Sequence, residues 1–232
     1  ALTIPPSIKT IGDHAFFGCS GIKGSLSIPE AVTSIGSYAF SGCSGFDGSL
    51  TIPDSVTTIH ECAFKDCSGF KQSLAIPGTT TTIYKGAFSG CSGFTQLTIP
   101  DGVKTIGIEA FSGCTGFTGS LSIPSSVTSI KRSAFFRCSG FTGQLVVPDS
   151  VTSLEEEAFF GCSGFSGEFK TPESIATVND CAFAGCSGLT GFLNITKNVK
   201  VIKNNAFSGC TGFTGTLTIP DTVIENGDGC FS

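Results

Sequence analysis

The sequence predicts a repeat solenoid built mostly of short parallel β-strands and turns, and three recurrences carry that expectation. Proline follows Ile4, Ile28, Ile52, Ile76, Ile99, Ile123, Val147, Thr171 and Ile219, and Ile195 holds the same phase without it; the steps are 24 residues, with a single step of 23. A phenylalanine stands twelve positions after each of these residues, from Phe16 to Phe231, without exception. A cysteine stands three positions after nine of those phenylalanines, from Cys19 to Cys210. A fixed period in this range means stacked coils, none able to bury its apolar face alone. The unbroken phase makes residues 1–232 a single array of about ten coils, the last one eroded. Positions are written below as phases, with phase 0 at the residue before the proline.

The first element of each coil is a short strand. Phase −2 is leucine in nearly every copy (Leu26, Leu50, Leu74, Leu121), phase 0 is isoleucine, and phase −1 between them is polar (Ser27, Thr51, Ser122). This in-out-in alternation is that of a half-buried strand. The proline that follows has no N–H for a ladder, so the strand should stop there. The second element is Val-x-x-Ile at phases +4 and +7, as in Val56 and Ile59, again with threonine or serine between. The apolar phases from +4 to +18 also resemble a helical heptad, but two or three glycines and several serines per coil make a helix expensive. A second short strand followed by a compact turn at Ala-Phe-x-x-Cys is the expected structure. In that turn the phase +12 phenylalanines should stack into a continuous spine. The phase +17 glycines, Gly21 to Gly212, should mark a turn with positive φ.

Composition excludes several classes. The net charge of −5 with 13% charged residues argues against a nucleic-acid partner, and the short basic groups Lys131, Arg132, Arg137 and Lys197, Lys200, Lys203 lack stacking aromatics. No apolar run is long enough to span a bilayer. The chain opens inside a repeat and holds no methionine, the pattern of a piece of a longer protein.

The tempting chemical sites read as bland ones. Nine cysteines in one column are expected to be small buried thiols, because parallel neighbours hold their Cβ atoms too far apart for a disulfide. Cys62 and Cys181, outside the column, are expected to be partly exposed. His60, Cys62 and Cys67 with Glu61 lack the spacing of a zinc site. Two histidines supply no nucleophile-base set, so no catalytic residues, metal or cofactor are assigned and an enzyme is not expected. Glu155-Glu156-Glu157 reads as a solvated turn.

The pattern L-x-I-P-x-x-V-x-x-I-x-x-x-A-F-x-x-C, as in Leu50-Thr51-Ile52-Pro53 through Ala63-Phe64 to Cys67, resembles the BspA-like leucine-rich repeats along essentially the whole chain. The resemblance implies a right-handed, curved leucine-rich-repeat array with a parallel sheet on its concave side. It also implies an extracellular or cell-surface setting, in mucosal bacteria or parasitic protists, and adhesion to host matrix or plasma proteins. Thr171, Thr196 and Asn226 depart from the core columns at the C-terminal end.

A repeat protein binds through positions its core does not dictate. Phases −3 and −1 flank the inward leucine and are mostly serine or threonine through the first six coils; then come Gln144 and Val146, Glu168 and Lys170, Phe192 and Asn194. These six form the candidate ligand-binding face, the competing reading being drift in ageing repeats, for which the breaks at Thr171 and Thr196 speak. Phe136 and Phe160, neighbours at phase +13 beside the spine, are a candidate exposed aromatic patch, with extra packing as the alternative. The expected function is a non-enzymatic adhesion module for a protein ligand, host-derived or on another cell. A structural spacer is the alternative, and an ice-binding array of Ser/Thr columns a remote one. Open sheet edges at Leu2–Ile4 and at the last coil should favour end-to-end self-association.

Overall fold

The computed structural model describes residues 1–232 as a parallel β-solenoid with no helix. Each coil contributes to two strand columns. The column at phases +6 and +7 has one two-residue strand per coil from Thr10–Ile11 to Glu225–Asn226, paired as three sheets that break between Thr58–Ile59 and Thr82–Ile83 and between Ser153–Leu154 and Thr177–Val178. Every pair is parallel and in register, Ser129 opposite Ser153 and Ile130 opposite Leu154, for example. The other column, at phases −2 and −1, is interrupted. It pairs Leu26–Ser27 with Leu50–Thr51, Ser73–Ala75 with Gln96–Thr98, and Gly167–Lys170 with Leu189–Asn194. Residues 121–123 and 145–147 keep the buried-exposed-buried alternation without strand pairing. Leu2–Ile4 likewise form no strand, so the sheet edge expected there is absent. The single 23-residue step falls between Leu74 and Leu97, which still pair directly; the missing residue is taken out of the turn rather than the strand.

Named strands hold only 13 of the 113 backbone hydrogen bonds; turns and the contacts between them hold the rest. The compact turn is itself a ladder. In the first coil the N–H groups of His14, Phe16 and Gly18 donate to the carbonyls of Ser37, Ala39 and Ser41 one coil on, at 2.9, 2.7 and 2.7 Å. These bonds run opposite to those of the neighbouring strand, where Gly36 N–H donates back to Ile11. Aiming alternate N–H groups along the stack requires left-handed residues, and the backbone supplies them at phases +10 and +14. Phase +10 has positive φ even where it is not glycine: His14, Tyr38, Cys62, Glu109, Ser133, Glu157, Cys181 and Asn205 lie at 53–56°. Phase +14 is mostly glycine, with Asp66 and Arg137 in two copies. Ten non-glycine residues in a sparsely populated region are tolerated because each is bonded to the coils around it.

The phase +17 glycines correct the sequence expectation. None has positive φ. A Cβ on Gly45 would instead fall on the carbonyl oxygens of Ser20 and Ile22 in the preceding coil, and one on Gly140 on those of Phe117 and Thr115. Glycine is demanded there by the approach of two backbones, not by a turn. Gly21, with no coil before it, meets nothing within 4 Å.

The core is a set of stacked columns. The spine phenylalanines lie face to face from Phe16 to Phe231, with centroids 5.0 Å apart for Phe16–Phe40 and 5.8 Å for Phe207–Phe231 and planes 7° and 2° apart. A second phenylalanine column at phase +18 packs edge-on against it, Phe135 meeting Phe141 at 6.4 Å and 72°. Between them sit the column cysteines, which do more than fill space. Cys67 Sγ donates to the Phe40 carbonyl, Cys138 Sγ to that of Phe111 and Cys162 Sγ to that of Phe135, each at 3.0 Å. That carbonyl already accepts the N–H of the cysteine in its own coil, so the thiol from the next coil occupies its second lone pair. All twelve cysteines are free thiols. Cys62 is buried, against expectation: phase +10 turns it over Gly86 of the next coil, the glycine that makes room for its Sγ. Cys181 is half-buried.

Three substitutions test the columns. Phe111→Ala opens a cavity between stacked rings and should cost about 3–5 kcal/mol in urea unfolding. Gly140→Ala should unfold or severely destabilise the chain, whereas Gly21→Ala should stay within about 0.5 kcal/mol of the parent, as at an ordinary surface site; equal effects of the two would contradict a steric role. Burial raises the thiol of Cys162 from 9.0 to about 12 and that of Cys210 to about 11. The unfolded thiols then ionise first, so stability should be constant below pH 9 and fall above it. The loss is about 1.4 kcal/mol per pH unit for each fully buried thiol, and a denaturation midpoint that stays level between pH 9 and 11 would refute it.

Candidate functional site

Strand alternation decides what the candidate face presents. With leucine or phenylalanine at phase −2 turned inward, phases −3 and −1 turn outward, and Gln144, Val146, Glu168, Lys170, Phe192 and Asn194 are all exposed. In the last full coils this strand is longer than elsewhere. Gly167–Lys170 and Leu189–Asn194 pair through a bulge, with Phe169 opposite Leu193 and Lys170 opposite Asn194. The paired strand is therefore longest in the coils of Glu168, Lys170, Phe192 and Asn194, whereas Gln144 and Val146 lie in a coil without strand pairing.

The six residues are partly linked. Gln144 Nε2 donates to the Glu168 carbonyl at 3.1 Å. Lys170 Nζ lies 3.0 Å from Glu173 Oε1, and that hydrogen bond raises the ammonium pKa. The pair is exposed, so it orients the lysine more than it stabilises the fold. Gln144, Val146 and Lys170 share a shallow groove of about 290 Å³ with Pro148, Asp149 and Pro172. Phe192 stands apart from it, its ring lying over Gly215 of the following coil. Val146 and Phe192 are 58% and 55% exposed, but they stand two coils apart in different columns. The face is a polar mosaic with two apolar points rather than one apolar patch.

The two core breaks beside this face are coupled to each other. Thr171 and Thr196 are 0% and 4% exposed. Their hydroxyls lie 3.1 Å apart, the Thr196 N–H donates to Thr171 Oγ1 at 2.9 Å, and Thr196 Oγ1 donates to the Pro172 carbonyl at 3.3 Å. Threonine at the proline phase carries a buried N–H, and threonine at the isoleucine phase supplies its acceptor.

Phe136 and Phe160 are half-buried and stacked at 4.9 Å, with the Arg137 guanidinium 5.1 Å from the centre of the Phe136 ring. The outer face of that ring is thus engaged by a cation from its own turn. Glu155 and Glu157 are likewise engaged along the stack. Glu155 accepts from Lys131 Nζ at 2.7 Å and from the Arg132 N–H at 3.0 Å, and Glu157 accepts from Ser133 Oγ at 2.7 Å. Glu156 remains exposed.

Phe17, which shares phase +13 with Phe136 and Phe160, belongs to an aromatic cluster at the other end that the sequence reading did not assemble. His14 stacks on Tyr38 at 5.2 Å, and the 57% exposed Phe17 meets His14 at 5.6 Å. The neighbouring Cys62 thiol raises the pKa of the Tyr38 phenol. The signal was in the sequence: phases +8 to +10 vary more in residue type than any other part of the coil, and they lie together on the left-handed edge. No group of three or more His, Cys, Asp or Glu side chains is placed to hold a metal ion, and no helix is long and apolar enough to cross a membrane.

The BspA type leucine rich repeat region, in 6 copies, matches residues 1–115, 48–166 and 129–232. No curated protein sequence matches the chain. Among solved structures, the chain is similar to a leucine-rich repeat protein of Bacteroides ovatus at 22% identity and a TM-score of 0.50, covering 98% of this chain and 84% of that one. It is similar to the Treponema pallidum leucine-rich repeat protein (T. pallidum TpLRR) at 22% identity and 0.56, covering 82% and 78%. A leucine-rich repeat protein of Eubacterium ventriosum matches at 17% identity and 0.53, covering 97% and 80%. At these identities the likeness establishes the shared fold.

Proposed function

The chain belongs to the BspA-type leucine-rich repeat family, and on that footing we propose that it is a non-enzymatic, extracellular adhesion module. Leucine-rich repeats generally serve protein interaction, and the fold is a scaffold rather than a catalytic framework. The partner is a host matrix or plasma protein, or a protein of another cell surface. It binds across the outward strand positions of the C-terminal coils, a face the family fold makes concave.

One observation carries this reading. Gln144, Val146, Glu168, Lys170, Phe192 and Asn194 are exposed on three successive coils, while the columns around them keep the same buried pattern as the uniform coils before them. Changes confined to solvent-facing positions alter recognition at little cost to folding. Drift would also strike the core, and the core breaks nearby, Thr171 and Thr196, are a matched pair rather than damage. The spacer reading draws its support from the first six coils, whose outward positions are nearly uniform serine and threonine. Ten coils at strand spacing give a rod of about 48 Å, enough to project another domain.

Surface immobilisation of host matrix and plasma proteins, probed with this chain, separates the two. A variant carrying Lys170→Thr, Phe192→Ser and Asn194→Thr should keep the parent's melting temperature, since all three side chains are exposed, and should lose at least tenfold in affinity. Binding that survives the triple change would move the site elsewhere on the coil, and absence of binding by both proteins would favour the spacer.

A further inference from the structure

We propose that Asn194 is an acceptor for an N-linked oligosaccharide, set in the middle of the candidate face. Asn194-Ile195-Thr196 is the only Asn-x-Ser/Thr triplet in the chain. Its position in the repeat is informative. An asparagine at phase −1 needs its hydroxyl at phase +1, which in the other nine coils is proline. Only the coil that lost its proline can carry the triplet, and that is the coil with asparagine at phase −1.

The structure shows what the change required. Thr196 brought a buried N–H into a proline position, and Thr171 gave up the isoleucine of its column to accept it. Two buried hydroxyls that satisfy each other do not improve on the isoleucine and proline of the remaining coils. Stability therefore supplies no reason to keep the pair, whereas an acceptor triplet does. Asn194 itself suits the role. Its side chain is exposed and makes no hydrogen bond, while Asn179 and Asn198 donate their amides to the Leu154 and Glu173 carbonyls.

In the transfer, Asn194 Nδ2 attacks the anomeric carbon of a lipid-diphosphate-linked oligosaccharide. A C–N bond forms, the C–O bond to the diphosphate breaks, the lipid diphosphate leaves with the electron pair, and Nδ2 gives up one proton. The Thr196 hydroxyl is buried once the coil closes, so transfer precedes folding, as the chain enters a secretory compartment. Afterwards the sugar stands out from the sheet between Lys170, opposite Asn194 on the preceding coil, and Thr218 on the following one. The sugar then borders the groove at Gln144, Val146 and Lys170 and becomes part of the surface a partner meets.

The inference rests on the extracellular setting proposed above, and the two are separable because adhesion can be assayed on unglycosylated chain from a bacterial host. The test is secretion of the chain from a eukaryotic cell line beside a protein of known N-glycosylation. Intact mass is measured before and after peptide N-glycosidase, and the released site is mapped by its conversion to aspartate. One glycan at residue 194 is expected, lost in Asn194→Gln and in the double reversion Thr171→Ile with Thr196→Pro, and retained in Thr196→Ser. Asn194→Gln alters only an exposed, unbonded side chain, so it reports even where the reversion fails to fold. Secreted, folded chain of unmodified mass beside a glycosylated control would overturn the proposal.

Discussion

Stacking of like on like, one coil above the next, is the constraint from which the rest of this molecule follows. A coil of about 24 residues cannot enclose a core, and its apolar side chains are covered only when a neighbour presents the same side chain at the same place. The phenylalanine column shows how strict the requirement is. Rings that lie within 14° of parallel along the array leave no position at which a smaller residue could stand without a void. The backbone obeys the same rule. Bonds run in both senses along the stack, forward from the turn at Phe16 and the strand at Leu26 and back from Gly36 to Ile11, so each coil both donates to and accepts from its neighbour.

That constraint explains residues whose presence looks arbitrary in isolation. The column cysteine is small enough to sit between two phenylalanine columns and still carries a donor for the second lone pair of the spine carbonyl. Serine could donate as well, but a hydroxyl in an all-apolar pocket costs more when the bond lapses. Glycine at phase +17 marks the place where two backbones come closest. Neither role involves reactivity, and the high thiol pKa values are a consequence of burial.

Freedom remains only where a side chain leaves the stack. The outward strand positions and the left-handed turn edge are two such places, and they vary in different ways. The strand face is uniform and then diversifies over its last coils. The turn edge varies throughout and resolves its charges in ion pairs between coils, Lys85 with Glu61 and Lys131 with Glu155. Where a core column did change, at Thr171 and Thr196, the second change met the polar demand of the first. A repeat array thus tolerates specialisation in a coil provided the adjoining coil adjusts with it.

The repeat phase, the inward and outward assignment of the strand columns and the family were legible in the chain itself, because a strict period forces each strand phase into one environment. The exposure of Gln144, Val146, Glu168, Lys170, Phe192 and Asn194 followed from strand alternation alone. What needed the tertiary structure was whatever depends on distance across coils. A glycine required for positive φ and one required by a neighbour's carbonyl look the same in sequence, and only stacking distinguishes Gly140 from Gly113. Thr171 and Thr196 look like two independent lapses until the 24 residues between them are wound into one turn. Cys62 lost its expected exposure, and His14, Phe17 and Tyr38 gathered into a cluster, for the same reason: a left-handed backbone aims a side chain along the stack, and φ is not written in the residue type.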